Sequence, residues 1–311
     1  MAKQTALELV NRILSRIGQS EVTDISALTA GSHSDMILQF LNEGQNLLYT
    51  EGIEWYSLYK TREFDTVTYK AATIAFNDAN PDTITDSANG FGSFSSGMQV
   101  YVSGSTSNDG TYTVDTVAAG TLTLQSADNL TAEVAGETVT ITAITYPVAS
   151  DWARTFALMD LTNDTFLIPD DDVTFDEVDP DSSETANPTH YALNGDYIRF
   201  YPIPAGTYSV RERYYALPTA FTANTDTSLL PIEVENCLIY WAWSQILDFL
   251  NKFDEADRKQ INYRNMLKIA EKANKRKINK LRQFEGTRNF SGVRGPRLPS
   301  RYGQNFPSGC I

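Results

Sequence analysis

Between Ala72 and Ile144 the chain contains no lysine and no arginine. Within that stretch the runs GMQVYVSGS, GTYTVDTV, GTLTLQS and ETVTITAI alternate, and NDG, AAG and AGE separate them. A period of two puts β-branched and aromatic side chains on one face of a strand, and the separating residues are those that accept tight turns. The stretch therefore reads as a small independent β-sandwich or barrel, Ig-like in its short strands, inserted between two strands of a parent domain. The parent is then discontinuous. Residues 1–71 and 145–290 make the parent domain of helices plus a β-meander, 72–144 the inserted β-sandwich, and 291–311 an extended C-terminal tail. The expected class is α+β, with two N-terminal and two long C-terminal helices around a β-rich middle.

The helices are legible from caps and periods. Thr5 with Glu8 forms a capping box, Ala6, Leu9, Val10, Ile13, Leu14 and Ile17 recur at helical spacing, and Gly18 follows as a stop. A second helix is expected from a cap at Ser34 or Asp35, with Ile37, Leu38, Leu41 and Leu48 as its stripe. From about residue 55 the pattern turns to strands. The segment YALNGDYIRFYPIPAGTYSVRERYYALP reads as a meander with an Asn-Gly hairpin. Pro231 suits the first position of a long helix that is apolar on most sides, and such a helix must be buried between neighbours. A last helix is expected from a cap at Asp254 to a stop at Gly286, with acids early and Lys and Arg late, as the helix dipole favours.

Charge is segregated along the chain. The net charge is −14, yet residues 252–311 hold 15 of the 25 basic residues and only 5 of the 39 acidic ones. A chain built this way presents different faces to different partners. The acidic body argues against general affinity for nucleic acid, which rests on phosphate neutralisation. No apolar run approaches the roughly 18–20 residues that span a bilayer. The start, MAKQTALELVNRILSRIG, lacks a secretory core and cleavage site, so the expectation is a protein made and used from the cytoplasmic side. Of the two cysteines, Cys237 lies in an apolar helical run and reads as a buried structural thiol. Cys310 is one residue from the end and does not match a prenylation box.

Catalytic signatures are lacking. His33 and His190 are the two histidines, and neither has a neighbouring His, Cys or nucleophile motif at ligand spacing. There is no Gly-rich phosphate loop and no nucleophile elbow. The expectation is no enzyme, no metal and no cofactor. The most charged run is PDDDVTFDEVDPDSSE, with Asp170, Asp171, Asp172, Asp176 and Glu177. It lacks the spacing of a calcium-binding loop and reads as a solvated acidic loop, or one facing a channel or a basic partner. The helix KIAEKANKRKINKLR, with Lys268, Lys272, Lys275, Arg276 and Lys280, reads as a solvated face, a docking surface for an acidic neighbour, or a nucleic-acid site. The tail carries Phe290, Arg294, Arg297, Leu298, Arg301, Tyr302 and Phe306, and its prolines block a helix. Arg and Tyr are interface anchors, so the tail reads as a strap that orders on a partner, against the alternative of a frayed end.

In chain order, the second helix runs into EGIEWYSLYKTREF, the middle holds Tyr201-Pro202-Ile203-Pro204 and Tyr214-Tyr215, and Leu230-Pro231 opens the late helix before the basic helix and tail. With Trp55 and Tyr56 at the end of the second helix, this arrangement resembles the head-to-tail adaptor (connector) proteins of short-tailed bacteriophages, of the tail tubular protein A type. The resemblance covers 1–71 and 145–290, and the insert departs from the minimal pattern. It implies a ring, usually a dodecamer, beneath the portal, which extends the DNA channel and docks the tail. The C-terminal segment would reach the portal, and the basic helix would meet the acidic middle of the next copy. Implied partners are the portal protein, a tail nozzle or tail tube protein, tail fibres, further copies of the chain, and genomic DNA passing without specific binding. No membrane is implied. The location would be the virion neck and tail, assembled in the host bacterial cytoplasm. A second reading is a fibre or receptor-binding component with the insert as a carbohydrate module. A third is a calcium-dependent hydrolase using Asp171 and Asp176.

Overall fold

The computed structural model describes residues 3–180 and 182–286, with side chains to Lys277. Among the described residues there are five α-helices and 17 strands, and the class is α+β.

Four helices form one body. α1 (Ala6–Arg16) opens on the expected capping box: Thr5 Oγ1 accepts from the Glu8 N–H at 3.3 Å, and Glu8 Oε2 accepts from the Thr5 N–H at 2.8 Å. Its stripe Ala6, Leu9, Val10, Ile13 and Leu14 is buried. α2 (His33–Thr50) is capped by Ser32, not by Ser34 or Asp35. Gly31 takes φ +76 and turns the chain so that Ser32 is extended and accepts from the Asp35 N–H, while Ser34 is buried inside the helix. Pro231 is likewise extended, with ψ 152, and precedes a short 3-10 turn over Ile232–Val234. α4 (Glu235–Phe249) therefore starts four residues after the proline. α2 and α4 meet at Gly44, where a Cβ would lie 2.7 Å from Trp241 Cδ1. α5 (Phe253–Gly286) begins one residue before the expected cap and packs along α4.

The strands lie in three larger sheets and one short parallel pair. The first sheet has the order β1 (Tyr59–Asp65), β17 (Ser209–Ala216), β10 (Trp152–Asp160), β11 (Thr165–Phe166). The second runs β12 (Ile168–Pro169), β14 (His190–Asn194), β15 (Tyr197–Tyr201), β9 (Thr145–Pro147). β13 (Thr185–Ala186) pairs in parallel with β16 (Ile203–Pro204). The expected meander forms only as the β14–β15 hairpin, where Asn194 pairs with Tyr197 across Gly195 at φ +58. β17 leaves it to sit between β1 and β10. Its alternating Val210, Glu212, Tyr214 and Ala216 are buried there, and a central position satisfies both of its backbone edges.

The third sheet takes up the lysine- and arginine-free stretch. Its order is β2 (Thr68–Ala71), β8 (Val139–Ala143), β5 (Gln99–Ser103), β6 (Gly110–Ala118), β7 (Thr121–Leu124), β4 (Thr83–Asp86), β3 (Ile74–Asn77). All seven strands share one hydrogen-bonded sheet. β6 joins its two halves: residues 110–113 pair with β5, residues 114–118 pair with β7, and a register shift separates Val114 from Thr116. A bulge of this kind bends a strand and lets one sheet turn on itself. Its core continues into the second sheet, because Ile141, Val100 and Phe91 share one cluster with Tyr146, Ile198 and Phe200.

Candidate interaction surfaces

α5 is tied to the body along one face. Ala256, Tyr263, Ala270 and Asn274 are buried on it. Tyr263 donates to Glu51 Oε1 at 2.9 Å and packs 5.6 Å from the Trp241 ring. Burial, then the Glu51 carboxylate, pushes its hydroxyl well above the ordinary tyrosine range. Asn274 clamps the end of the α2 connection: its Nδ2 donates to the Glu54 carbonyl at 2.6 Å and its Oδ1 accepts from the Tyr56 N–H at 3.0 Å. Lys277 donates to Glu233 Oε1 at 2.7 Å and to Tyr56 Oη at 2.8 Å. Those two bonds hold its ammonium charged and raise its pKa. Lys259 and Arg16 lie over the Trp243 ring at 3.9 and 4.7 Å.

The opposite face of α5 is exposed and cationic. Lys268, Lys272, Lys275 and Arg276, all four marked by the sequence, project there with Arg258 and Arg264. Lys275 pairs with Glu271 one turn back at 2.6 Å, and among the described residues the others meet no carboxylate. Lys280 is on the same helix, and its side chain lies outside the described residues. Ile261 and Ile269 sit in this cationic face, 57% and 60% exposed. The sequence reading missed them. On a helical wheel both fall among the lysines and away from Tyr263 and Ala270, and that signal was available.

The acidic run is not a solvated loop. Residues Asp172–Val178 form α3, with the Asp171 carboxylate accepting from the Val173 N–H at the N-cap. Phe175 is buried and stacks on Tyr201 at 5.3 Å. Arg199, on β15, bridges Asp172 at 2.9 Å and Asp176 at 2.7 Å. The partner that orders the acids comes from a distant strand, which no local pattern announces. Asp170, Asp171, Asp176 and Glu177 remain exposed. Beside them Thr155, Phe156, Tyr191, Leu193 and Pro169–Asp172 line an open groove of about 570 Å³. Phe156 is 62% and Leu193 39% exposed.

Among the described residues no three His, Cys, Asp or Glu side chains converge to hold a metal ion. His33 is the first residue of α2, and His190 Nδ1 lies 2.8 Å from Thr189 Oγ1. Burial pushes the Cys237 thiol up to about 12, which leaves it an inert core group. No described helix is long and apolar enough to cross a membrane. Phe290, Arg294, Arg297, Leu298, Arg301, Tyr302, Phe306 and Cys310 lie outside the described residues.

A family model described as SU10 adaptor protein matches residues 108–283, more than half of the chain. The match runs from the seven-stranded sheet through both smaller sheets to the cationic end of α5. No curated protein matches the chain.

Proposed function

Because this chain belongs to the SU10 adaptor protein family, a family of bacteriophage structural adaptors, we propose that it is a head-to-tail adaptor of the virion neck. In this reading copies assemble into a ring, a dodecamer, beneath the portal of a short-tailed phage. The ring extends the DNA channel and gives the tail nozzle or tail tube protein its docking surface. Its role is structural, with no reaction to catalyse.

The observation that carries the reading is the family match over the α5 region, combined with an exposed cationic face on that helix. An acidic protein that concentrates its cations on one face and at one end is suited to meeting two kinds of neighbour. The tail, with Arg294, Arg297, Arg301 and Tyr302, is the strap to the portal. DNA passes without specific binding, because a largely acidic wall repels phosphate. The insert, 72–144, decorates the parent domain formed by 1–71 and 145–290. Support for this division comes from β1 and β10, which flank the insert in sequence and both pair with β17.

The test is the mass of the purified chain, alone and with its portal, by native mass spectrometry. The reading expects a ring of portal-matched copy number on the portal. A compact trimer indifferent to the portal would sink it. A 1–290 truncation that docks on portal rings with unchanged affinity would remove the strap from the proposal.

A further inference from the structure

Two unlike surfaces of this chain complement each other in both shape class and charge. One is the outer face of α5, where Ile261 and Ile269 stand two turns apart among Arg258, Lys268, Lys272 and Arg276. The other is the groove walled by Phe156 and Leu193 and rimmed by Asp170 and Asp171, with Asp176 and Glu177 on the adjoining helix. Each pairs exposed apolar side chains with an excess of one sign of charge, Asp254 and Asp257 being among the exposed acids in the early turns of α5, and the two excesses are opposite. α5 cannot turn this face into its own groove, because Tyr263, Ala270 and Asn274 hold its other side to the helical body.

We infer that the outer face of α5 seats in the β10–β14–α3 groove of a second copy of this chain. The inference rests on the ring reading above and supplies its subunit contact. A contact between two different patches is heterologous and repeats head to tail, which is what a closed ring requires. The isoleucines cover Phe156 and Leu193, and the cations take the rim carboxylates that Arg199 leaves exposed. Duplex DNA is the weaker occupant for α5. Phosphate contact would leave both isoleucines in water, and the body around the helix is acidic.

The test is a cross-link in the full chain. Ile269→Cys and Leu193→Cys are combined in one protein with Cys310→Ser, assembled on the portal and oxidised. A ladder of covalent oligomers is expected, and either cysteine alone should give none. Lys268→Glu with Lys272→Glu should weaken assembly by about tenfold or more, and Asp170→Lys with Glu177→Lys in the second copy should recover part of it. Leu193, Ile269, Lys268, Lys272, Asp170 and Glu177 are exposed, so folding is checked by circular dichroism and is expected to hold. A ring by mass with no ladder, and no response to the charge reversals, overturns this contact and leaves the ring reading standing. A monomer both alone and on the portal overturns both. Retention of duplex DNA that depends on Lys268 and Lys272, without a ladder, overturns the contact in favour of nucleic acid.

Discussion

In the seven-stranded sheet the buried polar groups are largely acceptors that tie down loops. Asp86 accepts from Thr73 Oγ1 at 2.5 Å, the Gly90 N–H at 2.7 Å, Tyr69 Oη at 2.8 Å and the Ala88 N–H at 3.1 Å. Asp82 accepts from the Ala79 and Leu130 N–H groups, and Asn108 exchanges two bonds with the Thr131 backbone. In the helical body the interior is ring and aliphatic surface, and its buried polar links are mostly neutral. Trp55 Nε1 donates to the Leu48 carbonyl, Ser228 Oγ to Gln45, and Asn274 to Glu54. One region thus organises its loops around carboxylates, Asp86 among them. The other relies mainly on buried area, with Glu235 as its buried carboxylate. The two should respond differently to truncation and to acid.

The largest expected effect is in the helical body. Trp55 is fully buried, and Trp55→Ala should cost about 3–5 kcal/mol, read by urea denaturation. A cost under about 1 kcal/mol would mean the helices do not depend on this side chain. The first sheet gives the next effect. Glu212 is fully buried and receives Arg62 Nε at 2.6 Å and Thr155 Oγ1 at 2.7 Å. Arg62→Ala strands that carboxylate and should cost about 3 kcal/mol at pH 7, and adding Glu212→Gln should return much of the loss. Equal stability for the single and double variants would break this account.

Asp86→Asn should cost about 2 kcal/mol and should do so only above the acid range. Burial acts to raise the Asp86 carboxyl, but the bonds from Thr73, Gly90, Ala88 and Tyr69 outweigh it and hold it below the usual range. A depressed carboxyl stabilises the fold above its unfolded value of about 4, and that stability is lost as pH falls through the folded value. The variant should therefore converge on the wild type in acid, followed by fluorescence-detected melts from pH 7 to 3. The smallest effect has the opposite sign. Glu235 on α4 is buried, and burial raises its carboxyl despite the bond from the Gln4 N–H at 3.1 Å. A raised carboxyl favours the protonated folded state, so acid relieves it. Glu235→Gln keeps the acceptor and should add under about 1 kcal/mol at pH 7 and nothing at pH 3. Loss of stability at pH 7 would show that the charge on Glu235 is used.

Much of the helical body was readable residue by residue. The capping box at Thr5 and Glu8 and the α1 stripe are local features, and they stand where the pattern puts them; the expected stop at Gly286 falls on the last described residue. The broadly apolar run over α4 was correctly read as a buried helix, with Cys237, Leu238, Ala242 and Ile246 inside. What the sequence did not announce depends on partners far along the chain. Asp172 and Asp176 become a helix face because Arg199 reaches them from another strand. β17 abandons its hairpin neighbours because β1, roughly 150 residues earlier, pairs with it across Glu63 and Arg211. The groove beside α3 exists only because β10, β12 and β14 converge there.

By itself the sequence determined the class, the four helices of the helical body, the cation-free stretch and the basic end. These follow from caps, turn residues and hydrophobic periods, which act within a few residues of one another. The tertiary structure alone decided which strands share a sheet and which carboxylates are neutralised. Those outcomes turn on contacts between residues tens to hundreds of positions apart, and no local preference encodes which distant surface will cover which side chain.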